Sequence, residues 1–460
     1  MKIILLSGGS GKRLWPLSNS VRSKQFLKIL NDHNDKYESM VQRIWRKLDG
    51  LNLTDQTYVS TGKIQSEIMK NQLGENVPMI IEPERRDTFP AISLACSYLY
   101  SEQKISLDEV ICVLPVDAYA EDAFYKKLEE LERIVKQSSY DLALLGVKPS
   151  YPAESYGYIV PECHSLNKFE PMNVSHFVEK PKQHEAENLI AKNALWNCGV
   201  FAFKLQFMIS LLKKKNYPTN YKKLLKIYEA LPKNSFDYEV VEKCQTAAVI
   251  PFSGVWKDLG TWDTLSHELN TPIIGKGIIS SDSINTHLIN ELNIPIVVLG
   301  LSNIIVAASS DGIVVTDKVK SSHIKELINN IQQRPMYEER RWGWYKVLDY
   351  REIDNQNEIL TKRLVLTSGK NLSYQLHHKR SEYWIIISGR GEFVLDGNLR
   401  PVKPGDMLHI PIGVKHAIKA HSDLEIIEVQ TGTELIEEDI VRICLTWEET
   451  LKHCIPSVKD

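Results

Sequence analysis

With 460 residues, 43% of them hydrophobic and 25% charged, the chain is too long for one ordinary domain and too apolar for a disordered or fibrous protein. Its 56 Lys and Arg against 58 Asp and Glu leave a net charge of −2 with the signs interspersed, so the basic field that duplex nucleic acid needs is absent and no nucleic-acid partner is expected. Seven scattered cysteines without a C-x-x-C pair indicate no disulfide framework, and no apolar run nears the ~18 residues of a membrane span; a soluble, unprocessed, cytoplasmic chain with no membrane partner is expected.

In chain order, the apolar runs Ile3–Leu6, Tyr58–Ser60, Met79–Ile81, Val110–Leu114 and Leu142–Val147 are predicted strands. Glu38–Leu48, Ile64–Leu73, Ala91–Ser101 and Phe124–Gln137, lying between them, are predicted amphipathic helices. This alternation over residues 1–268 predicts an α/β domain: an open, mostly parallel sheet covered on both faces, with ligands at the strand C-termini. Over 269–335 the runs shrink to Ile296–Leu299, Ile304–Ala307 and Ile313–Thr316 between Asn, Ser, Asp and Gly, which predicts a β-rich, β-helix-like connector. The polar segment Gln332 to Arg341, with Pro335, marks a second boundary. Over 336–460 the runs Leu364–Thr367, Trp384–Ser388, Gly391–Leu395, Met407–Ile410 and Leu424–Val429 alternate with Ser-Gly, Asp-Gly and Pro-Gly turns, the pattern of a β-barrel or sandwich.

The first strand runs into Ser7-Gly8-Gly9-Ser10-Gly11-Lys12-Arg13-Leu14. Gly8, Gly9 and Gly11 let backbone N–H groups approach an anionic phosphate, and Lys12, Arg13 and, further on, Lys24 add positive charge. A Walker A loop requires a hydroxyl residue where Arg13 stands, so that template fails. Taken alone, Gly-Gly-x-Gly also fits a tight strand-to-helix turn.

The run Gly8-Gly9-Ser10-Gly11-Lys12-Arg13-Leu14-Trp15-Pro16-Leu17-Ser18, followed by Lys24-Gln25-Phe26-Leu27, resembles the signature of mannose-1-phosphate guanylyltransferases within the sugar nucleotidyltransferase family. Further matches follow in family order: Glu82-Pro83 with Arg86 and Thr88, Leu114-Pro115-Val116-Asp117, Tyr156-Gly157-Tyr158-Ile159, Val178-Glu179-Lys180-Pro181, Leu195-Trp196-Asn197-Cys198-Gly199, Phe236-Asp237-Tyr238 and Trp256-Lys257-Asp258-Leu259-Gly260. The resemblance implies a Rossmann-like nucleotidyltransferase domain that joins a sugar 1-phosphate, mannose 1-phosphate favoured, to a nucleoside triphosphate, GTP favoured, releasing pyrophosphate. GDP-mannose is the implied product.

Such a reaction crowds negative charge on both reactants, so catalysis is mainly neutralisation and alignment. By resemblance Arg13, Lys24 and Lys180 contact the triphosphate, the pyrophosphate side and the sugar phosphate, and Asp117 and Asp258 hold Mg2+. Either aspartate alone also fits a turn cap. Glu179, Asn197 and Asp237 offer hydrogen bonds to sugar hydroxyls, while Gly157 permits close approach to the ring. Base selection falls to the first loop and to Arg86, Asp87 and Thr88. Two departures from the family are Asp87 for its usual asparagine and Val116-Asp117-Ala118 for its usual Ala-Asp-His.

In the last segment, Gln375 and His377 alternate onto one strand face and, with Glu382 and His416, make a ligand set for a divalent transition metal such as Zn2+ inside a barrel. An empty barrel with a polar lining fits the same residues. The segment resembles the cupin module of type II phosphomannose isomerases, with Lys379 and Tyr383 standing where that family has histidines. The expected role is either isomerisation of mannose 6-phosphate and fructose 6-phosphate or a non-catalytic assembly module in a homo-oligomer.

Overall fold

The computed structural model describes residues 1–9, 11–162, 171–331, 333–354 and 357–454; Ser10, Cys163 and Gln332 lie outside them. Lys2–Ser7 alternates, with Ile3 and Leu5 turned to one apolar layer and Ile4 to the other, so this strand must be covered on both faces. Helices Met40–Asp49, Lys63–Leu73 and Asp122–Gln137 supply Val41, Ile44, Ile68, Met69, Phe124 and Leu128 to the first layer. Thr88–Ser101 and Leu205–Lys214 supply Phe89, Ile92, Met208 and Ile209 to the second. The predicted strands and helices of this region all form, most with one to three further residues at an end.

The nine-stranded sheet runs in the order Met79–Glu82, Thr57–Gly62, Lys2–Ser7, Val110–Pro115, Leu195–Lys204, Leu142–Val147, Ala247–Phe252, Met172–Val178, Tyr158–Pro161. Its first four strands are parallel, as expected. The sheet is mostly parallel, as expected, and the second half carries its two reversed strands. Leu195–Lys204 lies antiparallel to both its neighbours, and Met172–Val178 is antiparallel to Tyr158–Pro161 and Ala247–Phe252. The last two run antiparallel because only about ten residues separate them in sequence, fewer than the dozen or so that a parallel crossover requires.

Beyond the helix Trp262–Ser266, short strands stack in coils. Ile273–Gly275, His287–Asn290 and Ile304–Ser309 pair in parallel, as do Gly277–Ile279 and Ile296–Val298, and Gly312–Asp317 closes the stack as a hairpin. The connector shares an apolar core with the segment after the first strand: Leu14, Leu17, Leu27, Trp262, Ile289, Ile305 and Ile328 pack together. It is thus a bed for that segment.

The C-terminal part is two facing antiparallel sheets of six and five strands. Trp384, Ile386, Phe393, Leu408, Ile418 and Ile426 fill the space between them. No helix among the described residues is long and apolar enough to cross a membrane.

Candidate functional site

The loop after the first strand is held from behind. Gly11 has φ 67°, and a Cβ there would meet the Ser23 Cα at 2.5 Å, so glycine alone lets the two arms of the loop close on each other. Ser18 Oγ donates to the Gly11 carbonyl, and Gln65 Nε2 donates to the Gly9 carbonyl at 3.3 Å and to Ser23 Oγ at 2.9 Å. Gly8 and Gly9 stay exposed. The chain then enters the 3-10 turn Lys12–Leu14, where successive side chains splay by about 120°. Arg13 is exposed and acts electrostatically on Asp117. Lys12 lines a cavity of about 170 Å³ with Trp15, Asn19, Asp311, Ile328 and Arg334.

Lys24 begins a second 3-10 turn, and its Nζ lies 2.9 Å from Asp117 Oδ2 and 2.8 Å from Asp258 Oδ1. Asp117 follows the strand Val110–Pro115, and Asp258 ends the short strand Trp256–Asp258, which pairs with Ala118–Ala120; the paired register sets the carboxylates side by side. Burial works against the charge on Lys24 and on Asp117, yet the two carboxylates raise the Lys24 pKa, and Lys24 with Arg13 lowers that of Asp117. Lys24 and Asp117 are therefore both ionised at neutral pH. Carboxylate oxygens of two aspartates converge on one point at the C-terminal edge of the sheet, and a hard-cation site has the same donor chemistry.

A second cluster adjoins the first. Asn197 Nδ2 donates to Asp237 Oδ1 at 2.6 Å, its Oδ1 accepts from the Gly199 N–H at 3.1 Å, and its own N–H donates to the Gly157 carbonyl at 2.8 Å. Glu179 pairs with Lys180, whose backbone has φ 48° and whose N–H donates to the Tyr156 carbonyl at 3.2 Å. At Gly157 a Cβ would meet Glu179 Oε2 at 2.4 Å, so the glycine makes room for that carboxylate. Burial, then the charge of Glu179, pushes the Asp237 carboxyl up to about 6. Gly157, Glu179, Lys180, Asn197 and Asp237 thus form one polar group. Tyr156 links it to the first: its ring packs 5.5 Å from that of Trp256, and its hydroxyl feels Asp258.

Arg86 and Thr88 are engaged elsewhere. Arg86 donates to the Leu231 carbonyl at 3.0 Å and to Glu84 at 2.9 Å, while Thr88 Oγ1 accepts from the Phe236 N–H at 2.8 Å. Thr88 thereby ties the helix Thr88–Ser101 to the turn that carries Asp237. Asp87, at φ 69°, caps that helix through the Thr88 N–H. Sequence reading missed Gln65 and Tyr156 as supports; Tyr156 had a signal, its place beside Gly157, whereas Gln65 had none.

Inside the barrel, His377, Glu382 and His416 bring one ligand atom each to within 4.8 Å of one another, and all three are buried. His377 Nδ1 contacts the Asp439 carbonyl at 2.9 Å and His416 Nδ1 the Val414 carbonyl at 3.1 Å. Each carbonyl can only accept, so the ring protons sit on Nδ1 and both Nε2 lone pairs are left for a donor or an ion, Arg380 lying 3.5 Å from that of His377. His416 Nε2 is buried without a hydrogen-bond partner. Burial pushes His416 down to about 4 and also lowers His377, so both are neutral at pH 7; burial opposes the charge on Glu382, whose pKa is nonetheless lowered beside the Arg380 guanidinium that donates to it. This donor set fits a divalent transition metal. Gln375 lines a cavity with Glu382 and Arg380, its Oε1 accepting from Ser373 Oγ at 2.6 Å. Lys379 is outside, paired with Glu434, and Tyr383 stacks on His409 at 4.5 Å; neither departure touches the set. Sequence reading missed Arg380, which shares the inward face with Glu382 two residues on and donates to it at 2.9 Å.

Comparison with known proteins agrees with both halves. Residues 2–271 match the nucleotidyl transferase family, and residues 329–444 match the mannose-6-phosphate isomerase C-terminal family. The alginate biosynthesis protein AlgA of Pseudomonas putida is 32% identical, covering 95% of this chain and 94% of its own. A mannose-1-phosphate guanylyltransferase of Salmonella montevideo is 28% identical over 95% of this chain and 98% of its own. A solved structure described as a mannose-1-phosphate geranyltransferase from Thermus thermophilus superposes with a TM-score of 0.58 at 26% identity, covering 71% of this chain and 98% of that one. The chain belongs to the nucleotidyl transferase family and carries a C-terminal domain of the mannose-6-phosphate isomerase type.

Proposed function

We propose that the chain joins mannose 1-phosphate to GTP, releasing pyrophosphate and making GDP-mannose, at the cleft where Lys24 meets Asp117 and Asp258. One oxygen of the sugar phosphate attacks the α-phosphorus, the bond to the β-phosphate oxygen breaks, and pyrophosphate leaves. The observation that carries the reading is the convergence of Lys24, Asp117 and Asp258 at the sheet edge, with the Asn197–Asp237 group beside it. The names of the relatives supply the substrates.

In this reading Asp117 and Asp258 would hold Mg2+, which when bound neutralises phosphate charge. The exposed backbone of Gly8 and Gly9, with Gly11 behind it, seats the triphosphate; Arg13 and Lys24 face its charge from two sides. Lys180 takes the sugar phosphate, while Glu179, Asn197 and Asp237 orient the hydroxyls. Arg86 and Thr88 act by fixing the walls of the cleft. The division into 1–268, 269–335 and 336–460 assigns this chemistry to the first part alone. The reading is tested by pyrophosphate release from a matrix of the common nucleoside triphosphates against mannose, glucose and heptose 1-phosphates: GTP with mannose 1-phosphate should exceed every other pair, and a different best pair overturns the assignment.

A second reading concerns the barrel, which would hold a divalent ion on His377, Glu382 and His416 beside Gln375 and interconvert mannose 6-phosphate and fructose 6-phosphate. It is favoured by the outward placement of Lys379 and Tyr383, which leaves the inner ligand set whole. Conversion of fructose 6-phosphate by the purified protein tests it; metal bound without conversion leaves the barrel as an assembly module.

A further inference from the structure

The Lys24 segment has little strength of its own. A three-residue 3-10 turn, Lys24–Phe26, makes few internal hydrogen bonds, so something outside must set where Lys24 stands. The contacts on either side of it converge on one carboxylate of the barrel. Glu339, on the barrel's first strand Tyr337–Arg340, is only 4% exposed. Its Oε1 lies 3.8 Å from Arg22 Nε, two residues before Lys24, and its Oε2 lies 3.3 Å from Lys28 Nζ, four residues after. Gln72 Nε2 donates to Glu339 Oε2 at 3.1 Å and to the Phe26 carbonyl, inside the turn, at 3.0 Å.

Arg22 is held further by Glu291 of the connector, whose two oxygens accept at 3.0 and 2.9 Å, and by the ring of Tyr337, 5.0 Å from its guanidinium. The same strand is clamped to the helix Lys63–Leu73 by Asn71, which donates to the Arg340 and Gly343 carbonyls at 2.8 and 3.2 Å. A buried carboxylate is costly unless donors surround it. Glu339 has two, Lys28 and Gln72, and the Arg22 guanidinium as a charge partner 3.8 Å away; all three come from the nucleotidyltransferase side and touch the segment around Lys24.

We propose that Glu339 is a positioning residue for nucleotidyl transfer: through Arg22, Lys28 and Gln72 the barrel holds Lys24 in register with Asp117 and Asp258. The barrel then contributes to the amino-terminal reaction whatever its own chemistry, and the transferase part depends on its C-terminal neighbour. This rests on the reading of Lys24 as catalytic. A displacement of about 1 Å at such a group costs up to ~10²-fold in rate, so partial loosening is expected to cost about tenfold.

The test uses the full chain with Glu339→Ala, Glu339→Gln and Lys24→Ala, measuring kcat, KM for the sugar phosphate, the melting midpoint and the metal content of the barrel. The expected result is kcat lowered about tenfold in Glu339→Ala with KM within about twofold and barrel metal unchanged. Glu339→Gln, which keeps an acceptor oxygen in place, should recover most of the rate. Should Glu339→Ala fail to fold, the pair Arg22→Met with Lys28→Met probes the contact from the other side and should show the same loss of kcat. Wild-type kcat in these variants beside a dead Lys24→Ala overturns the positioning role; full turnover in Lys24→Ala overturns the catalytic reading beneath it.

Discussion

Lys24 Nζ lies 2.8 Å from Asp258 Oδ1, a contact between residues 234 apart in sequence. The ammonium also touches Asp117, so one side chain bridges a carboxylate just past one strand and another at the end of a second. Under the proposed function, a lysine in this place serves charge neutralisation more than affinity for the sugar. Lys24→Ala should lower kcat by roughly 10²-fold or more while KM for mannose 1-phosphate changes little. Steady-state kinetics check this; parallel loss of both would make Lys24 a structural residue.

Asp237 gives the site a pH signature. Burial and Glu179 raise its carboxyl from 3.8 to about 6, so it gains a proton as pH falls through that value and accepts hydroxyl hydrogen bonds less well. KM for the sugar phosphate should therefore climb below about pH 6. The substrate's own phosphate titrates near the same pH, so the comparison is with Asp237→Asn, in which the enzyme's part of the climb should vanish. The stability sign follows from the same shift. Between pH 3.8 and about 6 the folded state binds this proton and the unfolded chain does not, so the group's contribution to stability falls as pH rises through that window.

The barrel centre makes a prediction that needs no turnover. His377, Glu382 and His416 should hold about one divalent transition-metal ion per chain. Elemental analysis of the purified protein checks the content, and a chelator should lower the melting midpoint of the C-terminal part. Glu382→Gln and His416→Ala should each lose the ion. A metal-free protein, with Glu382→Gln as stable as the wild type, would leave Arg380 as the cationic partner that explains the charge on Glu382.

Much of the fold and site was legible because its signals are local. Apolar runs such as Val110–Leu114 became strands, and the ordered motifs around Gly11, Asp117, Gly157, Asn197 and Asp258 mark the two clusters the structure brings side by side. What was not legible depends on distant partners or on half-buried patterning. The strand Gly343–Asp354 shows no continuous apolar run, since Lys346 separates buried Tyr345 from buried Val347 and Asp349 follows Leu348. The 3-10 turn Lys12–Leu14 is marked by no local residue signal. Glu339 reads as one acid in a charged run, and its partners Arg22, Lys28 and Gln72 are hundreds of residues away.

The central claim is that Lys24, Asp117 and Asp258 together hold two repelling phosphates for exchange. Its most direct measurement is pyrophosphate release from GTP and mannose 1-phosphate by Asp117→Asn and Asp258→Asn, titrated with Mg2+ beside the wild type. Each variant should lose roughly 10²-fold or more in turnover and require more Mg2+ to reach its maximum. Near-normal turnover with an unchanged Mg2+ requirement in either variant would contradict the account.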